Sequence, residues 1–351
     1  TIHSLLELTF WVSLLAAGIR IATPLLFASL GEAVAERAGL LNVGIEGMMA
    51  LGAICGFLAA FASGNVWVSL LAAIGAGALA GLIFGLLTIV RGADQIVTGI
   101  VLNILALGVA SFLYQSAFAS ANDVPQLALR TGVYALPWLS TIPWIGRALF
   151  VQSPIVYLAY VLVPIFWFLM ERTTWGLSAK AVGENPEAAD SVGIDVWRIR
   201  MQAIVLGGAM AGLGGATIAV AQVGAYVDGM ISGRGFIALA IVVFGGWSPW
   251  RIALASLFFG AADALQLRLQ ISGIGLPNEL LLGLPYLLTI IVVVFVAGRA
   301  GYPAAINQPY RRRGLTILPK FFQRMTGATS NAAPQLADIR ATVPVPKGGN
   351  Q

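Results

Sequence analysis

The chain has 351 residues, 58% hydrophobic and only 10% charged, with a mean hydropathy of +0.87. A soluble domain carries roughly 25% charged residues, so so few charges could not give about 200 apolar side chains a wetted surface. A soluble enzyme, a disordered chain and a fibre are excluded together. The 41 glycines have no period of three and the 16 prolines are too few for collagen. Cys55, the single cysteine, permits neither an internal disulfide nor a thiolate metal cluster. The class is an all-α polytopic membrane protein.

A spanning helix needs about 20 mostly apolar residues. In chain order the candidates are Thr9–Leu30, Ile45–Ala62, Val66–Val90, Ile96–Ala119, Val151–Met170, Met201–Val223, Phe236–Trp247, Ile252–Leu269 and Pro277–Ala297. About nine spans are expected, within a range of eight to ten. The seventh is too short to cross unless the glycine-rich segment before it also enters the membrane. Gly31–Gly44 mixes Glu32, Glu36 and Arg37 with apolar residues and reads as a broken or re-entrant segment. Gly77, Gly81 and Gly85, and Gly208 with Gly212, suit close helix packing. The opening residues lack a positive n-region, so no cleavable signal peptide is expected.

The net charge of +5 is unevenly placed. Beyond Gly298 lie Arg299, Arg311, Arg312, Arg313, Lys320, Arg324, Arg340 and Lys347 against Asp338 alone, giving that end +7 and residues 1–298 a net −2. This reads as a positive-inside anchor beside anionic lipid, with no nucleic-acid partner. The loop 172–200 holds Arg172, Lys180, Arg198 and Arg200 and is assigned to the cytoplasm. Four further crossings bring the C-terminus to the same side. The aromatic segment 121–150 is then external. Residues 1–300 form the transmembrane domain. Residues 301–351 are expected to form a basic, flexible cytoplasmic tail, with an amphipathic piece at Leu318–Met325.

Enzyme motifs fail in turn. None of the three lysines stands in a P-loop, and Gly233–Ala238 matches a dinucleotide fingerprint by letter only, without a preceding strand. The single histidine, His3, is remote from any intramembrane serine, and no paired metal ligands occur. No catalytic residue, metal or cofactor is assigned to this chain.

The loop 172–200 carries more information. Asn185 suits an N-cap, Pro186 the first helical position, Glu187 the positive end of the helix dipole and Gly193 the stop. The result is a two-turn helix whose small face, Ala188, Ala189 and Val192, suits a groove on a partner. A simple connecting turn is the alternative.

The string Gly183-Glu184-Asn185-Pro186-Glu187-Ala188-Ala189-Asp190-Ser191-Val192-Gly193 resembles the cytoplasmic coupling loop of ABC importer permeases. Glu36–Met49 resembles an early membrane motif of the branch handling simple sugars, nucleosides and branched-chain amino acids. Gly233–Trp247 with Pro249 resembles a third motif. Asn42–Gly47 and Asp263–Gln266 resemble most the nucleoside and simple-sugar permeases, while the tail after Arg299 falls outside the pattern. The resemblance implies a multi-pass subunit of the bacterial plasma membrane. It also implies a second permease (a paralogue or another copy), a cytoplasmic ATPase binding ATP and Mg, and an external solute-binding protein. Gly183, Glu184, Asn185, Pro186, Glu187, Ala188, Ala189, Asp190 and Gly193 would couple to the ATPase.

Polar residues inside spans are costly in hydrocarbon and are candidates for the solute pathway. These are Asn42, Glu46, Asn103, Gln222, Asp263 and Gln266. Hydrogen bonding between helices, with no solute contact, is the alternative for each. Arg20 is read as snorkelling or paired with an acid, and Cys55 as a packed small residue. A branched-chain amino acid permease is the nearest rival reading. An ion-coupled secondary transporter using Asp263 and Glu46 is the more distant one.

Overall fold

The computed structural model describes residues 8–119, 125–127, 132–142, 145–271 and 301–310, with the isolated helical positions 283, 287, 290 and 294. The expected ninth span, Pro277–Ala297, is otherwise outside the described residues, as is everything beyond Tyr310. The described residues belong to one compact unit, which runs through Tyr310.

Among the described residues the helices are α1 (Leu8–Arg37), α2 (Ile45–Ser63), α3 (Val66–Gly85), α4 (Gln95–Phe118), α5 (Ile145–Phe150), α6 (Pro154–Arg172), α7 (Thr174–Glu184), α8 (Pro186–Ser191), α9 (Val196–Ala216), α10 (Arg234–Gly245) and α11 (Pro249–Ile271). Leu86–Val90 extends α3, and Thr217–Val223 extends α9, as π-helix. Strands β1 (Tyr134–Ala135) and β2 (Val151–Gln152) pair antiparallel beside α5. Seven of the described helices are long and apolar enough to cross a membrane: α1, α2, α3, α4, α6, α9 and α11.

The bundle is built around α9, which packs against α1, α2 and α3. Its contact with α3 explains the glycine spacing. A Cβ at Gly77 would run into the Gly208 carbonyl, and a Cβ at Gly208 into that of Gly77. Only glycine lets the two backbones come this close. On its outer side α4 presents Val97, Val101, Ile104 and Phe112, all exposed, as a helix facing lipid would.

Two boundaries differ from the sequence expectation. The first helix does not break after Leu30: α1 continues to Arg37, and only residues 38–44 leave helical geometry. Glutamate is a good helix former, and burial of this pair is met from elsewhere. Asn42 donates its backbone N–H to Glu32 (3.1 Å), and the Trp247 indole donates to Glu36 (2.5 Å). The second difference lies in loop 172–200, which contains α7 as well as the short helix expected there. Thr173 caps α7, its hydroxyl accepting the Gly176 N–H at 3.1 Å.

The short span behaves as its length demands. The 12 residues of α10 cover about 18 Å, against a hydrocarbon core of about 30 Å. The preceding segment enters the bundle with it, since Tyr226 and Ile231 are buried.

Candidate functional site

A cavity of about 760 Å³ opens between α1, the π segment after α9, the start of α10 and the second half of α11. Ala17, Arg20, Ile21 and Thr23 line it from α1, and Thr217, Ala221 and Gln222 from the π segment. Arg234 comes from α10, and Asp263, Gln266 and Gln270 come from α11. Helical spacing explains the last set, because residues 263, 266 and 270 recur at three and four positions and share one face. Among the described residues, no hydrogen bond engages the side chains of Arg20, Asp263, Gln266 or Gln270. These four side chains bring a carboxylate, two amides and a guanidinium to the cavity wall, beside the Arg234 guanidinium.

Pro24 shapes this wall. Proline has no N–H, so it cannot bond the carbonyl four residues earlier, at Arg20. Gln222 supplies the missing donor, its side-chain amide reaching the Arg20 carbonyl at 2.7 Å. Such rescue of a freed carbonyl is a general requirement inside a membrane. Gln222 comes from a π segment, a distortion common beside functional sites.

Of the six expected pathway residues, the cavity gathers Gln222, Asp263 and Gln266. The other three lie outside its lining: the side chains of Asn103 and Glu46 bind backbone groups, and Asn42 is itself held through its backbone N–H. Asn103 on α4 accepts the Gly47 N–H at 2.7 Å and donates to the Val43 carbonyl at 2.9 Å. Glu46 accepts the N–H groups of Gly233 and Gly235, both at 2.7 Å, and so places a carboxylate on the N-terminus of α10. Asn42 is fully buried and donates its backbone N–H to Glu32. Gln95 adds a fourth clasp, accepting the Leu41 N–H at 2.7 Å. Segment 38–44 is thus fixed by side chains on α1 and α4.

The sequence reading missed Arg20, Arg234 and Gln270 as cavity residues. Arg20 stands out as a charge within an apolar run, which was the available signal; Arg234 lies in the glycine-rich segment before the seventh span, and Gln270 lies one turn beyond Gln266. Cys55 is partly buried and packs against the core, as expected of a small apolar residue.

At the other end of α1, residues 174–195 form a separate surface. Asn185 caps α8, its side-chain oxygen accepting the Ala188 N–H at 3.0 Å; Pro186 follows at the first position. Gly193 ends the element with φ +89°, which favours glycine. Val182, Ala189 and Val196 make a small apolar core beneath it. Ala189 therefore faces inward, contrary to the expected outer face, because the helix needs one apolar contact to stay on the bundle. Ala188 and Val192 face outward, as does Leu177 of α7, with Val192 76% and Leu177 69% exposed. Lys180 pairs with Glu171 at 2.6 Å across the α6–α7 junction. Trp247 packs edge-on against Tyr302, ring centroids 5.1 Å apart, and burial with the nearby Glu36 raises the Tyr302 hydroxyl pKa.

Residues 14–293 match the family described as branched-chain amino acid transport system / permease component. A guanosine ABC transporter permease protein of Bacillus subtilis is 38% identical over 302 residues, spanning 82% of this chain and 93% of the relative. A nucleoside ABC transporter permease protein of Lactococcus lactis subsp. cremoris is 37% identical over 302 residues, with the same shares. A Haloferax volcanii protein, provisionally named a glucose ABC transporter permease, is 37% identical over 331 residues, 87% of this chain and 99% of its own length.

Proposed function

The chain belongs to the branched-chain amino acid transport system permease family, and from that membership we propose that it carries nucleosides or simple sugars through the membrane as the permease subunit of an ATP-driven importer. The observation that carries this reading is its similarity, over four fifths of its length, to guanosine and nucleoside ABC permeases. The cavity supports it. Its volume of about 760 Å³ falls within the range of small-molecule sites, roughly 300–1,000 Å³. Asp263 can accept from sugar hydroxyls, Gln266 and Gln270 can both donate and accept, and Arg20 can donate to ring nitrogens or carbonyls.

In this reading α7 and α8 face the cytoplasm and seat an ATPase, with Leu177, Ala188 and Val192 as the contact. Glu184, Asn185, Glu187 and Asp190 form its polar rim, and Gly183, Pro186 and Gly193 set its shape. ATP and Mg bind the ATPase, leaving this chain without a cofactor. A second permease, the same or a paralogue, completes the membrane part. An external binding protein delivers the solute at the opposite face. The C-terminal tail lies with the coupling surface in the cytoplasm, and membrane lipid surrounds the exposed apolar faces.

Reconstitution tests this directly. The chain, its second permease, ATPase and binding protein are placed in proteoliposomes, and uptake of labelled guanosine, glucose and leucine is compared with and without ATP. ATP-dependent uptake of guanosine or glucose is expected. Preference for leucine would favour a branched-chain amino acid permease, and uptake driven by an ion gradient without ATP would contradict the reading. Ala188→Arg should leave insertion intact while abolishing solute-stimulated ATP hydrolysis; wild-type transport by that variant would reduce α8 to a connector.

A further inference from the structure

Residues 301–310 follow the last apolar run and would pass for the start of a tail. They are instead a compact turn pressed onto the coupling end of the bundle, with Pro303 and Ala305 buried. The Ala305 N–H donates to the Gly183 carbonyl at 2.8 Å, and the Ala304 N–H lies 3.5 Å from the Glu184 carboxylate. Both acceptors belong to the last turn of α7, two residues and one residue before the cap of α8.

The same segment is tied to α1. Arg200, only 2% exposed at the start of α9, donates to the Ala38 carbonyl (3.1 Å) and to the Gln308 carbonyl (3.0 Å). The Ala38 carbonyl belongs to the negative end of the α1 dipole, which favours a cation there. Tyr302 packs on Trp247, whose indole holds Glu36 in the last turn of α1. The α7–α1 contact is equally close: a Cβ at Gly183 would collide with the Arg37 carbonyl. Residues 301–310 therefore contact the ends of α1 and α7, the start of α9 and the turn after α10.

The reach of α1 gives these contacts a consequence. Its 30 residues cover about 45 Å, and the stretch up to its middle supplies Ala17, Arg20, Ile21 and Thr23 to the cavity. We propose that residues 301–310 are a strap binding α7 and α8 to the end of α1, so that displacement of α8 by a bound ATPase is passed along α1 to the cavity. Arg200 and Ala305 are positioning residues in this scheme. The proposal rests on the permease reading above. Most of the ties run through the strap's main chain, so its side chains are largely free to vary while its length and its N–H groups are not.

The test uses the complete importer complex in proteoliposomes. Ala305→Pro removes the N–H that bonds Gly183, Ala305→Ser keeps it, and Tyr302→Ala removes the packing on Trp247. A chain ending at Tyr310 keeps the strap and one ending at Ala300 lacks it. Assembled complex, basal ATP hydrolysis, and stimulation by loaded binding protein are measured for each. Ala305→Pro is expected to assemble with near-normal basal hydrolysis while stimulation falls about fivefold, the change worth one hydrogen bond. Ala305→Ser and the chain ending at Tyr310 should match wild type, and Tyr302→Ala should fall between. The proposal is overturned if Ala305→Pro and Tyr302→Ala show wild-type stimulation per assembled complex, whether or not their yield drops, because the segment is then only a folding brace. Failure of the permease reading would show in the unmodified complex, as uptake without ATP. Failure of the strap would show only in the variants.

Discussion

Two groups of polar side chains lie within the apolar body of this protein, and they differ in what they face. Around segment 38–44, Asn103, Glu46, Gln95 and Glu32 each bond a backbone N–H of another element. Around the cavity, Asp263, Gln266, Gln270 and Arg20 line open space. The first group replaces the hydrogen bonds that a non-helical chain loses away from water. Among the described residues no hydrogen bond offsets the desolvation of the second group, which suits a site for a polar solute. Gln222 belongs to both: it lines the cavity and serves the carbonyl freed by Pro24.

The largest effect is expected where the frame is cut. Glu46→Leu strands the Gly233 and Gly235 N–H groups, at roughly 1–3 kcal/mol for each buried donor. Losses of that size change a folded population by factors of about 5–30 or more. The amount of assembled complex, read by detergent size-exclusion chromatography, should drop accordingly. Normal yield with lost uptake would move Glu46 into the solute pathway.

A smaller effect sharpens the comparison at its shared member. Gln222→Leu should cost about 1 kcal/mol by leaving the Arg20 carbonyl without its donor, and thermal stability of the complex should fall. Pro24→Ala restores the helical N–H and should recover most of that loss in the double variant. If the double variant is no more stable than Gln222→Leu alone, the amide serves the solute and not the helix.

The seven long apolar helices among the described residues were legible because apolar runs of that length have few other homes. The cap and stop of α8 were legible too, since Asn185, Pro186 and Gly193 act on their immediate neighbours. The continuation of α1 was not. Glu32 and Glu36 look like interruptions until Trp247, 211 residues from Glu36, is placed beside it. For the same reason Asn103 and Asp263 are indistinguishable in sequence, each a polar residue in an apolar helix. What separates them is whether a backbone group from a distant element lies within reach.

The smallest effect is expected from the basic end of the chain. Truncation after Gly314 keeps residues 301–310 and Arg311, Arg312 and Arg313, and should leave orientation unchanged and uptake within about twofold of wild type. Reversed orientation, or failure to assemble with the ATPase, would make that end a docking element.

The contrast between frame and cavity is tested most directly by uptake per assembled complex, measured side by side for Asn103→Leu and Asp263→Ala. Asn103→Leu should lower the yield of complex while the molecules that do assemble transport at near the wild-type rate. Asp263→Ala should assemble normally and lose about tenfold or more in uptake, as expected when a hydrogen bond to a charged group is removed. The account is contradicted if Asn103→Leu assembles fully but does not transport, or if Asp263→Ala is lost mainly from the membrane.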